Sequence, residues 1–157
     1  MPIFVEIVAL WMVILGHFYY PIVQQPSGNY WYVSKKENVV TQFSLANNVT
    51  LMAHNYLAGE QFLDLDVGDT IYLMTKDGLM VYSVYDIDYY ETISYTRYRD
   101  LETDKVSTIY EIVEKHYSNT SLTLQTCLEK DGDWTWGITF LSARRVSTKS
   151  PALLTPN

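Results

Sequence analysis

"TIYLMTKDGLMVYSVYDI", residues 70–87, decides the fold class. Two apolar and aromatic runs flank Lys76-Asp77-Gly78. An Asp-Gly pair supplies the positive φ values that a tight hairpin turn requires. The stretch predicts two antiparallel strands, the second running on through Tyr89 and Tyr90 to Ile93.

On either side the chain repeats the strand period. In "NNVTLMAH" (47–54), Val49, Leu51 and Ala53 alternate with Thr50, Met52 and His54, the period of two that a strand shows. His54 falls at the strand's end, on the face opposite the small apolar set. "SLTLQTC" (121–127) and "WTWGITFLSARRV" (134–146) predict two further strands, with "LEKDGD" (128–133) as the turn between them. "YWYVS" (30–34) predicts a short strand after a Pro26-Ser27-Gly28-Asn29 turn. "NVVTQFSLANN" (38–48) fits helix and strand spacing alike. "LAGEQFLDLDVGD" (57–69) predicts one short helical turn and a loop, and "SYTRYRDLETD" (94–104) a loop. "DKVSTIYEIVEKHY" (104–117) is the one convincing helix: Val106, Ile109, Tyr110 and Val113 share a face, and Thr103 or Asp104 can cap its start. About six to eight strands with a single longer helix suggest a closed or nearly closed all-β barrel.

Composition narrows the partners. Fourteen tyrosines lean towards strands, and 157 residues suffice for one domain with a real core. The net charge of −7, with eleven Lys and Arg, argues against nucleic acid, whose phosphates require clustered positive charge. Residues 1–20, "MPIFVEIVALWMVILGHFYY", carry one charge, Glu6, and an unbroken apolar run from 7 to 16. That run alone is shorter than the ~20 residues of a bilayer span, and no basic residue opens it as in a signal peptide. Two readings stand: a membrane anchor or signal-like segment, or a buried first strand or helix of the domain. Pro21 is expected to end the segment. The division that follows is a possible anchor at 1–20, a barrel at 21–146 and a flexible tail at 147–157.

Cys127 is the only cysteine, so no intrachain disulfide exists. A thiol becomes a nucleophile as thiolate, through a lowered pKa or a base close in space. Three histidines are available. His17 lies in the apolar leader, and His116, near the end of the helix, packs or caps. His54 ends its own strand, and two strand ends of one barrel can meet at the rim. Spacing alone leaves a buried packing cysteine as the commoner case.

"LTLQTC" (122–127) resembles the TLxTC signature of the sortases, cysteine transpeptidases of bacterial cell surfaces; Thr123, Leu124, Thr126 and Cys127 match its fixed positions. "VTLMAHNYLAG" (49–59) is similar to the family's segment around the catalytic histidine, with His54 in that place. His54 precedes Cys127 by about seventy residues, the family's order. "FLDLDVGDTIYL" (62–73) and "WGITFLSA" (136–143) also resemble family stretches, so that the likeness runs from about Pro21 to Val146, nearest to the class D, E and F type. It implies an eight-stranded β-barrel with one or two short helices. It implies, too, a thioacyl intermediate on Cys127, acid–base work by His54, and placement of the scissile carbonyl by Thr126. Trp134 and Trp136 could wall the peptide groove. The implied partners are a sorting-signal peptide of a surface protein and an amine acceptor of cell-wall or pilin type. The implied location is the outer face of a bacterial membrane.

One position departs from the family. Its third residue, an arginine on the last strand, follows the Trp-Gly pair in the form that "WGITFLSA" most resembles; here that position is Ile138. If the turn at 131–133 sets the pairing, Cys127 lies nearly opposite Trp136 and Ile138 one pleat away. Arg144 then lies roughly 20 Å beyond Ile138 at ~3.3 Å per residue, and Arg145 points to the other face. Arg97 or Arg99 could reach in from a loop. The third member is therefore unassigned, and the alternative function is a catalytically impaired barrel that binds peptide or protein. Asp64, Asp66 and Asp69 lack a full calcium loop, so no metal is expected, and nothing calls for a cofactor.

Overall fold

The structure, a computed structural model, describes residues 10–118 and 121–149. Ten strands and two helices follow in chain order: β1 (Leu10–Leu15), β2 (Phe18–Gln24), β3 (Val40–Gln42), β4 (Val49–Met52), α1 (Glu60–Leu63), β5 (Thr70–Thr75), β6 (Gly78–Ser94), β7 (Arg97–Asp100), β8 (Val106–Thr108), α2 (Ile109–Tyr117), β9 (Leu122–Lys130) and β10 (Asp133–Lys149). Eight of the strands close a ring, β10-β9-β4-β3-β2-β1-β5-β6, because β6 pairs back onto β10. β7 and β8 extend from the far end of β6. The expected all-β barrel of about eight strands with short helices is the fold observed.

The quoted hairpin is β5–β6, with Thr75 opposite Gly78 across the turn and Gly78 at φ +136°. Inward-facing Val13, Leu51, Ile71, Leu73, Leu122, Leu124 and Leu141 fill the barrel with Phe62 of α1. Alternation puts these side chains on one face of each strand and leaves the other face to solvent or to covering segments. α2 covers part of that outer face. Its Ile112 and His116 pack on Tyr90 of β6 and Phe140 of β10.

Several expectations are corrected. Leu10–Leu15 forms β1, which pairs with β2 and β5 inside the ring. Pro21 lies within β2, opposite Met12. It is tolerated there because β3 joins β2 only from Ile22 onward, so no ladder on that side needs its missing N–H. β10 runs on through Ser147–Lys149, paired with Val81, Met80 and Leu79, so the barrel spans 10–149; residues 1–9 and 150–157 lie outside the described residues. Residues 30–34 form a loop rather than a strand, and 97–100 form a strand rather than a loop. α2 starts at Ile109, not at 104. Thr108 caps it and Glu111 reaches back to the Thr108 amide, a reciprocal pair that satisfies two otherwise unbonded amides. Among the described residues no helix is long and apolar enough to cross a membrane.

Candidate active site

β9 lies between β4, parallel, and β10, antiparallel. The β4 ladder runs Val49↔Leu122 to Met52↔Gln125, and the Ala53 amide extends it by donating to the Gln125 carbonyl at 3.3 Å. β4 itself ends at Met52, and its register continued by two residues would set His54 level with Cys127. Leu51, Leu124 and Thr126 are buried on the barrel side, so Met52, Gln125 and Cys127 turn outward. His54 follows the end of β4, where its carbonyl opens a turn by accepting from the Leu57 amide.

Thr126 clamps this junction. Its hydroxyl donates to the Ala53 carbonyl at 2.8 Å. Gly59 sits against the same spot, its amide donating to the His54 carbonyl at 3.0 Å. A Cβ on Gly59 would come within 2.4 Å of the Thr126 hydroxyl and 2.7 Å of the Ala53 carbonyl. The Asn55 amide donates to the Trp134 carbonyl at 3.1 Å and ties the next residue to β10.

His54 lines an open depression with the 31–36 loop. Its ring stacks on Tyr56 at 5.1 Å, and its Nε2 is buried without a hydrogen-bond partner among the described residues. Cys127 is half-buried, and burial pushes its thiol above the ordinary cysteine value. Next to it is a cavity of about 410 Å³ lined by Met52, Tyr98, Tyr117, Gln125, Ile138 and Phe140 among others. The lining is mostly apolar, suited to a large hydrophobic side chain of a bound peptide.

Ile138 is the direct Cα partner of Cys127. The turn itself, with Asp133 opposite Lys130, would have put Trp136 there, but an irregularity between Asp133 and Gly137 shifts the register by two residues. Gly137 permits the tight passage, since a Cβ there would meet the Tyr90 carbonyl at 2.4 Å. Trp136 instead lies beneath Lys130, whose Nζ is 4.7 Å from the ring centre. Trp134 meets Tyr56 edge-on. Of the residues expected to hold substrate, Thr126 turns its side chain inward and Trp136 is not part of the cavity wall. The arginines stand elsewhere. Arg99 binds Glu91 at 3.1 Å and Asp104 at 3.6 Å, Arg144 lies over Tyr85, and Arg145 pairs with Tyr82 far along β10.

Structural comparison places this geometry in a known fold. The SrtA sortase from Actinomyces oris matches with a TM-score of 0.65 at 13% identity, over 94% of this chain and 85% of that one. The chain folds as a sortase. Sortase E1 from Streptomyces coelicolor, solved with a tripeptide in its active site, matches with a TM-score of 0.61 at 16% identity, over 96% and 95%. Streptococcus agalactiae sortase C1, in complex with MTSET, gives 0.56 at 17%, over 87% and 68%. Identities this low carry the fold alone, and the likeness spreads over sortases A, C and E without assigning a class. No protein-family pattern matches the chain, and no curated protein matches it in sequence.

The sequence reading missed Tyr98, Tyr117 and Gln125 as cavity residues. The alternation in "TRYRD" (96–100), one tyrosine between two arginines, was the available signal: it marks a strand with Tyr98 facing opposite to Arg97 and Arg99.

Proposed function

We propose that this sortase-like barrel is a cysteine acyltransferase acting on a sorting-signal peptide, with Cys127 as nucleophile and His54 as acid–base. What supports the reading is the pairing of β4 with β9. Its last rung is Met52↔Gln125, and the same register carried two residues further would set His54 level with Cys127. Gln125 and Ile138, on either side of Cys127, line an apolar cavity. Cys127 Sγ adds to a backbone carbonyl carbon, the C–N bond breaks, and His54 as imidazolium gives its proton to the leaving amine. An incoming amine of cell-wall or pilin type then attacks the thioester, loses a proton to His54 and releases the Cys127 thiolate. Water in its place gives hydrolysis. Thr126 acts by positioning, through its bond to the Ala53 carbonyl. Such chemistry belongs at the outer face of a bacterial membrane. The test is intact mass after incubation with candidate sorting peptides. Wild type should gain the acyl mass, and Cys127→Ala should not. A wild-type mass that never changes across the peptide set counts against the reading.

One pair of observations favours a second reading, an impaired barrel that only binds peptide. Ile138 faces Cys127 where the family resemblance calls for arginine, and burial raises the thiol rather than lowering it. Under that reading peptide binds and no adduct forms.

A further inference from the structure

A carbonyl carbon attacked by sulfur develops negative charge on its oxygen, and a site that speeds this step aims donors at that oxygen. The residue directly across from Cys127, Ile138, has none to offer. Tyr98 stands in the same cavity wall as Ile138 and Gln125. With Ile138 it packs on the Tyr90–Ile112–Phe140 cluster. Its neighbours Arg97 and Arg99 turn to the other face of β7, where Arg99 is held by Glu91. The two phenols of the cavity differ in use: the Tyr117 hydroxyl donates to Gln125 Oε1, whereas none of the hydrogen bonds among the described residues involves the Tyr98 hydroxyl. Burial first, and then the charge of the Cys127 sulfur, push the Tyr98 phenol above its ordinary value. A phenol is already a neutral O–H donor at neutral pH.

We propose that Tyr98 supplies the donor that Ile138 cannot, giving a hydrogen bond from its O–H to the carbonyl oxygen as Cys127 adds to the carbonyl carbon. This rests on Cys127 being the nucleophile. The Sγ–C bond forms, the carbonyl π pair moves to oxygen, and the phenol keeps its proton throughout. When the C–N bond breaks, the pair returns to the carbonyl. A neutral donor replaces a cation, so the site works without positive charge opposite the thiol.

The test uses the full chain and two probes that need no peptide recognition. p-Nitrophenyl acetate acylates Cys127 through an oxyanion; iodoacetamide alkylates it without one. Tyr98→Phe should slow Cys127-dependent acylation by about 10²-fold while the alkylation rate moves by less than about two-fold. Adding Ile138→Arg to Tyr98→Phe should recover part of the loss. If Tyr98→Phe acylates like wild type while Cys127→Ala abolishes the reaction, the nucleophile stands and Tyr98 has no part. If acylation and alkylation fall together, Tyr98 only supports the fold locally, and the proposal is overturned. Equal p-nitrophenol release by wild type and Cys127→Ala removes the acyl-transfer reading and this inference with it.

Discussion

His54 and His116 sit at opposite ends of the same outward face, and they use their rings in opposite ways. His116 is sealed at 1% exposure. It stacks flat on Phe140 at 4.2 Å, and its Nε2 shares a hydrogen bond with the Tyr90 hydroxyl at 3.1 Å. Its backbone carbonyl accepts from Asn48 Nδ2 at 2.9 Å and Thr123 Oγ1 at 2.7 Å, which fixes the end of α2 onto β4 and β9. His54 stands at an open depression with Nε2 unpartnered. An orphan nitrogen alone does not mark chemistry, since His116 Nδ1 is unpartnered as well. Exposure of the ring as a whole separates the two: His54 is half-buried and borders an open depression, whereas His116 is sealed.

The sharpest way to break the comparison is to remove each ring and measure acylation of Cys127. His54→Ala should lower the rate by about 10²–10⁴-fold, the usual weight of a positioned acid–base group. His116→Ala, assayed per folded molecule, should lower it by less than about ten-fold, because His116 touches no reacting atom. Losses of equal size would erase the distinction.

Stability should rank them the other way. His116→Ala opens a cavity against Phe140 and removes the hydrogen bond between its ring and the Tyr90 hydroxyl, at a cost of about 3 kcal/mol. His54→Ala, a half-buried ring stacked only on Tyr56, should cost about 1 kcal/mol or less. Urea denaturation reads both, and a larger loss for His54→Ala would reverse the structural assignment.

The same contrast explains what could be read from the residues. Strands with one face on the core announce themselves, because Ile71, Leu73, Leu122 and Leu124 repeat every two residues; β5, β6, β9 and β10 were legible for that reason. β1 was not, since a short apolar strand and the core of a leader look alike over ten residues. β7 was hidden because its four residues offer a single position facing the core, Tyr98, between two arginines, too few for the period to stand out. The start of α2 was written in the Thr108–Glu111 capping pair and overlooked in favour of the broader apolar pattern. The proposed pairing of His54 with Cys127 rests on a motif resemblance that spacing alone did not carry. The partner of Cys127 depended on an irregularity after Asp133, which shifts the register by two and leaves no trace in periodicity because the faces are unchanged.

The last contrast is the dependence of stability on pH. Burial holds the His116 ring at about 4, below the ordinary 6.5. The Asp88 carboxylate, with Oδ2 3.4 Å from Nε2, pulls the other way, and Lys115, with Nζ 2.8 Å from the same oxygen, blunts that pull. The Tyr90 hydroxyl is the remaining polar group on the ring. The unfolded chain therefore binds a proton at His116 more readily than the folded one. Stability from the neutral ring is complete above about pH 6.5 and is lost as the pH falls through about 4. His116→Gln should be less stable at pH 7 and should flatten the decline between these values, whereas His54→Gln should leave the slope as in wild type. Melting temperatures of the three proteins across pH 4–7 check it. A slope that survives in His116→Gln would place the acid sensitivity in the carboxylates and leave the two histidines alike in this respect.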